Sequence, residues 1–162
     1  VIALGIDPGI AITGYGVARE EPDGALIALA YGTLETPKTD ALPARLLSLR
    51  RQLAQLIDAW RPTESAVEAL FFAANAKTAM IVGQARGVVL MTLHEAGLPI
   101  AEYTPLQVKQ AIAGYGQADK RQMQAMVQLL YRLDALPRPD DAADALAIAA
   151  THIHSARFAR LG

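Results

Sequence analysis

The chain opens with three short apolar-rich stretches, each closed by turn-forming residues. Val1–Asp7 (VIALGID) has the pattern of a buried strand ended by Pro8-Gly9. Thr13–Arg19 and Ala25–Leu34 are β-like as well, separated by the turn signals Glu21-Pro22-Asp23-Gly24. Three strands joined by short turns predict an antiparallel meander. The period then changes. Leu42, Leu46, Leu49, Leu53, Leu56 and Ile57 recur at three-and-four spacing, which predicts an amphipathic helix over Leu42–Trp60 that stops near Pro62.

Thr63–Ala69 follows as a fourth strand and carries Glu68. Ala76–Ala96 is a long helical stretch, apolar nearly all round, and such a helix is expected to be buried on more than one side. Pro99–Tyr103 is a fifth strand. Pro105–Ala113, Ala118–Leu133 and Asp141–Arg157 read as three further helices, broken by Gly114-Tyr115-Gly116 and by Pro137-Arg138-Pro139. There is no internal repeat and no long linker. The order predicts one α/β domain over residues 1–162, with a five-stranded mixed sheet flanked by helices.

Composition narrows the class of protein. Hydrophobic residues make up 52% of the chain and charged ones 19%, which fits a globular domain. Without cysteine there is neither a disulfide nor a thiolate zinc site, in keeping with a reducing cytoplasm. The first residues lack the charged and apolar regions of a secretory leader, and Val1 implies that at least the initiator Met is missing. No apolar run is long enough to span a membrane. The net charge of −1 argues against a uniformly basic nucleic-acid binder. Its distribution is uneven, however. Residues 41–62 hold Arg45, Arg50, Arg51 and Arg61 against Asp58, and residues 104–133 hold Lys109, Lys120, Arg121 and Arg132 against Asp119. Local basic faces of this kind can steer a polyanion.

Four acids stand where strands end or a helix begins. Asp7 closes the first strand, Glu68 lies at the end of the fourth, and Asp141 and Asp144 begin the last helix. Three residues along a helix is a rise of ~4.5 Å with both side chains on one face. Carboxylates that close repel unless a cation lies between them, and hard oxygen ligands suit Mg²⁺ or Mn²⁺. Asp144 sits within an otherwise apolar run, Ala142 to Ala150, where an unpartnered carboxylate is costly. Acids in a first helical turn also suit the helix dipole, so Asp140 or Asp141 can serve simply as a cap. Spacing alone does not join Asp7 and Glu68 to the helical pair.

Five motifs in order make that connection. Gly5-Ile6-Asp7-Pro8-Gly9 with Thr13-Gly14-Tyr15-Gly16, Val67-Glu68 with Phe71 and Asn75, Gly83-Gln84-Ala85-Arg86-Gly87, Gln107-Val108-Lys109-Gln110, and Asp141-Ala142-Ala143-Asp144-Ala145-Leu146-Ala147-Ile148-Ala149 together resemble the RuvC family of Holliday junction resolvases. The first motif alone is shared with distant RNase H-like and actin-like proteins. The resemblance runs over nearly the whole chain. It implies an RNase H-like fold in which Asp7, Glu68, Asp141 and Asp144 hold Mg²⁺, or Mn²⁺ in its place, with two ions per site. Asp140 is outside the motif and is read as a cap.

The implied reaction is hydrolysis of a DNA phosphodiester by in-line attack of water, leaving 5′-phosphate and 3′-hydroxyl ends. Lys109 and Lys120 match two functional lysines of the family, where a cation near the scissile phosphate stabilises developing charge. Phe71 is expected to stack on or wedge between junction bases. Phe72, Lys77, Arg86 and Arg121 are further candidates for DNA contact, and Thr13 is a candidate phosphate or active-site neighbour. The substrate implied is four-way junction DNA, cut by a homodimer acting with the RuvA–RuvB branch-migration complex. Ala76–Ala96 is the candidate dimer face, crossing near Gly83 and Gly87 with Val89 as a candidate outer residue. Competing readings are an actin-like phosphotransferase, which normally needs a second domain, a YqgF-like nuclease acting on RNA, and a junction-binding module without catalysis. Retention of all four acids opposes the last.

Overall fold

The computed structural model describes residues 1–69 and 75–162. The three opening strands form as β1 (Ile2–Asp7), β2 (Ile12–Glu20) and β3 (Leu26–Glu35), paired antiparallel in sequence. Helix α1 (Leu42–Trp60) carries the chain across to β4 (Glu64–Glu68), which lies parallel to β1. Helix α2 (Ala76–Glu95) then leads to β5 (Ile100–Tyr103), parallel to β4. Parallel neighbours need long connections, and these two helices supply them. The mixed sheet has the order β3-β2-β1-β4-β5. The chain closes with α3 (Pro105–Ala113), α4 (Lys120–Leu130) and α5 (Asp140–Leu161). No helix among the described residues is long and apolar enough to cross a membrane.

Local chemistry sets the helix ends. α4 is shorter than its apolar pattern predicts. At its start Asp119 accepts a hydrogen bond from the Gln122 N–H while Gln122 bonds back to Asp119, and Arg132 turns left-handed beyond its end (φ 52°). α5 is longer than predicted at both ends. Its N-cap is Pro139, so Asp140 is the first helical residue and makes no cap bond, which corrects its reading as the cap.

Alternation along the strands builds two unlike cores. One side chain set, with Leu4, Ile6, Val17 and Val67, packs against Leu49, Leu53 and Ile57 of α1 and Ala85, Val89 and Leu93 of α2. The opposite face offers Ala3, Ala18 and Ala66, and receives α3, α4 and α5. Small residues there admit α5 to backbone contact. A Cβ built on Gly5 would lie 2.2 Å from the Ala145 carbonyl oxygen, one on Gly14 2.0 Å from that of Asp141, and one on Gly16 2.8 Å from the Leu146 nitrogen. Three glycines of the first motif, Gly5, Gly14 and Gly16, are therefore seats for a helix backbone.

Candidate active site

β1 and β4 run in parallel and end on the same edge. Ile6 pairs with Val67, so the next residues, Asp7 and Glu68, stand side by side. Both share strand parity with Gly5 and Ala66, and so face α5. The first turn of α5 comes down on the same edge. The Asp141 carbonyl sits over Gly14, and Gly14 is the register partner of Asp7. Asp144 follows one turn later. Pairing and packing thus bring together the four acids that spacing alone leaves apart.

The electrostatics of this edge are those of crowded, half-buried acids. The Asp7 carboxyl is pushed up to about 8, first by burial, then by the charge of Glu68, a hydrogen bond shared with it, and the charge of Asp141. Glu68 is also raised, mainly by burial, with the hydrogen bond to Asp7 and the charge of Lys109 acting the other way. Asp144 is pushed up to about 6 by burial and then by Asp7. Oxygen donors held this close favour the charged state once a hard cation is present. Among the described residues no three acids already converge on one point. Asp7, Glu68, Asp141 and Asp144 are the residues that would hold a divalent ion at this edge. The donor set fits Mg²⁺ or Mn²⁺ and lacks the nitrogen and sulfur ligands typical of zinc.

Lys109 and Lys120 join the acids in a cleft of about 240 Å³, which Glu68 and Asp144 also line over an apolar floor that includes Val108, Met123 and Ile148. The capping box of α3, Thr104 with Gln107, starts the helix that presents Lys109. Asp119 starts the one that presents Lys120. Asp140 reaches across from α5, its Oδ2 3.2 Å from the Lys120 Nζ, and accepts a 2.6 Å hydrogen bond from Gln124. This contact raises the Lys120 ammonium above its usual range and lowers the Asp140 carboxyl.

The other candidate residues are placed as follows. Thr13 is fully buried, and its hydroxyl donates to the Gly9 carbonyl and accepts from the Gly9 N–H, so it braces the turn after Asp7 rather than facing a phosphate. Arg86 is largely buried and ties α2 to β5 through Glu102 at 2.7 Å. Lys77, in the first turn of α2, and Arg121 on α4 are exposed. Phe71 and Phe72 lie outside the described residues. Val89 is fully buried against the sheet, which removes it from the outer face of α2. That face is the exposed stripe of Met80, Gln84, Gly87 and Met91.

One polar cluster escaped the sequence reading. Tyr103, His152, Glu64 and Arg160 are hydrogen-bonded in a row between β4, β5 and α5. The available signal was spacing: Glu64 stands four residues before Glu68 on a strand, and His152 eight after Asp144 on a helix.

Comparison with known proteins agrees with this geometry. A sequence model of the family described as crossover junction endodeoxyribonuclease RuvC matches residues 3–152. The RuvC of Syntrophomonas wolfei is 54% identical over 155 residues, covering 96% of this chain and 90% of that protein. The Thermus thermophilus RuvC structure superposes with a TM-score of 0.91 at 38% identity, covering 98% of this chain and 97% of the other. T. thermophilus RuvC in complex with Holliday junction substrate gives a TM-score of 0.89 at 35% identity, covering 98% and 96%. The acid cluster, the mixed sheet that presents it and these matches across nearly the full chain lead to one conclusion: this chain belongs to the RuvC family of crossover junction endodeoxyribonucleases.

Proposed function

We propose that this chain resolves four-way DNA junctions by metal-dependent hydrolysis of phosphodiesters in two strands, as a homodimer. The observation that carries this reading is the gathering of Asp7, Glu68, Asp141 and Asp144 at one sheet edge with Lys109 and Lys120 in the same cleft. When bound, a pair of divalent cations supplies activation of the attacking water and stabilisation of the leaving 3′-oxygen. Asp7 and Glu68 form the sheet side of the cradle for them, and Asp141 and Asp144 the helix side. Lys109 and Lys120 place positive charge where the scissile phosphate gains negative charge. The ends expected are 5′-phosphate and 3′-hydroxyl. Arg121 and Lys77 extend the positive surface that takes the DNA backbone, Phe71 contacts the junction bases, and Phe72 and Arg86 are further candidates for DNA contact.

A junction with approximate two-fold symmetry calls for two sites related by a dyad. The stripe Met80, Gln84, Gly87 and Met91 faces away from this chain's own sheet and is the surface on which a second copy would pack. A RuvA–RuvB branch-migration complex is the partner that would deliver the junction. The test is incubation with a synthetic four-way junction and with a linear duplex of the same sequence, in Mg²⁺, Mn²⁺ or EDTA. Paired nicks in the junction alone, lost in EDTA and lost in Glu68→Gln while binding persists, are the result expected. Cleavage in EDTA, or full cleavage by Glu68→Gln, would overturn the mechanism.

A further inference from the structure

We propose that Tyr103, His152, Glu64 and Arg160 are positioning residues for the acid cluster, forming a second attachment of α5 to the sheet that sets where Asp144 stands relative to Glu68. The inference rests on the reading of that cluster as a divalent-cation site. The contacts are short. His152 Nε2 lies 2.7 Å from Glu64 Oε2, Tyr103 Oη lies 3.0 Å from His152 Nδ1, and Arg160 donates to Glu64 Oε1 at 2.7 Å. The His152 side chain is 12% exposed and that of Glu64 21%. A carboxylate only accepts, so Nε2–H donates to Glu64. The Tyr103 hydroxyl and Nδ1 share the other hydrogen bond of the ring, and every group in the row has its partner.

The spacing shows why this row bears on the acids. Glu64 and Glu68 are four residues apart on β4, ~13 Å at the rise of a strand. His152 and Asp144 are eight apart on α5, ~12 Å at the rise of a helix. Strand and helix run in opposite senses, so the two lengths match and both ends meet: Glu64 with His152 at one end, Glu68 with Asp144 across the cleft at the other. At the cleft end the paired groups are like-charged and push apart. Between the ends, α5 rests on the sheet through backbone and small side chains, with Ala145 and Ala149 over Gly5. Such a smooth contact resists separation of helix and sheet but offers little against sliding along the helix axis. Directional hydrogen bonds resist sliding. Tyr103 adds a link across the sheet, because it is the register partner of Glu68 on β5.

The test is the affinity of the metal-free protein for Mn²⁺, read by electron paramagnetic resonance, with junction binding and thermal melting measured on the same samples. His152→Ala is expected to bind Mn²⁺ about tenfold more weakly, the low end for residues that support metal ligands from outside. Junction affinity should hardly change. His152→Gln, which can donate to Glu64 and accept from Tyr103, should recover most of the loss. Tyr103→Phe, which keeps the ring and removes one hydroxyl, should shift affinity the same way by less, and decides the matter if His152→Ala fails to fold. Wild-type Mn²⁺ affinity in folded His152→Ala, or in Tyr103→Phe if that is the only folded variant, overturns the positioning role, as does a His152→Gln protein as weak as His152→Ala. Wild-type protein that binds no Mn²⁺ would refute the cation site itself, and this role with it.

Discussion

Replacing Gly14 by Ala adds a single carbon at the point where α5 rests on β2. That carbon would stand 2.0 Å from the Asp141 carbonyl oxygen, 2.5 Å from its carbonyl carbon and 3.1 Å from its Cβ. Real contacts of this kind do not fall below 3.0 Å, so the backbone at Asp141 must retreat by about 1 Å. The obstruction is backbone on both sides, and no rotamer change relieves it. Overpacking of this sort costs about 1–3 kcal/mol, which for a domain of this size lowers the melting temperature by about 2–12 °C. The larger effect falls on function. A displacement of about 1 Å at a reacting centre can cost on the order of 100-fold in rate, and Asp141 is carried directly by the displaced turn. Gly14→Ala should therefore cleave a synthetic junction about 100-fold more slowly in single-turnover assays, with junction affinity little changed. Gly14→Ala protein with wild-type rate and melting temperature would refute the argument that backbone contact sets the acid geometry.

Other outcomes follow from the same geometry. Without divalent cations, stability should fall as pH rises from about 4 to about 8. The folded chain keeps protons on Asp7 (held up to about 8) and Asp144 (about 6) that the unfolded chain has already released, so the unfolded state binds fewer protons in that window. Urea melts across the range check this, and stability that climbs with pH would contradict it. Lys120→Ala should lower the single-turnover rate by about 100-fold and junction affinity only slightly, since one phosphate contact is a small part of a wide electrostatic interface. Lost binding with an unchanged rate of the bound complex would refute its place at the scissile phosphate. Met91→Glu, on the exposed stripe of α2, should yield monomers on sedimentation with the fold retained, whereas Val89→Glu should unfold the chain because Val89 is fully buried. Phe71→Ala should slow cleavage of an intact junction more than of a pre-nicked one; equal losses would mean a packing role.

The elements were legible wherever one periodicity dominated. Leu49, Leu53 and Ile57, picked out by their helical spacing, are the residues that α1 buries. The acids were legible as strand ends and helix starts. Their convergence was not, because it depends on the pairing of β1 with β4, a contact between residues about sixty apart that leaves no local trace. Asp140 illustrates a second limit. A first-turn acid before an apolar run satisfies every rule for a cap, yet its side chain is taken by Lys120 and Gln124 of another helix. The all-apolar look of α2 also misled. Val89 and Met91 are equally apolar and two positions apart, and only tertiary packing decides that the first is buried and the second exposed.

The unlike faces of the sheet divide the freedom of this protein to change. On the α1–α2 side, contacts are made by Leu, Ile and Val side chains, which can trade volume with one another and be repacked at modest cost. On the α5 side, Gly5, Gly14 and Gly16 meet a helix backbone that has nothing to give up, so even one methyl is excluded. Sequence drift and stabilising substitutions thus have room on one surface of the sheet, while the surface that aims the carboxylates is close to immutable. A search for hardier variants has its best ground among the large side chains under α1 and α2.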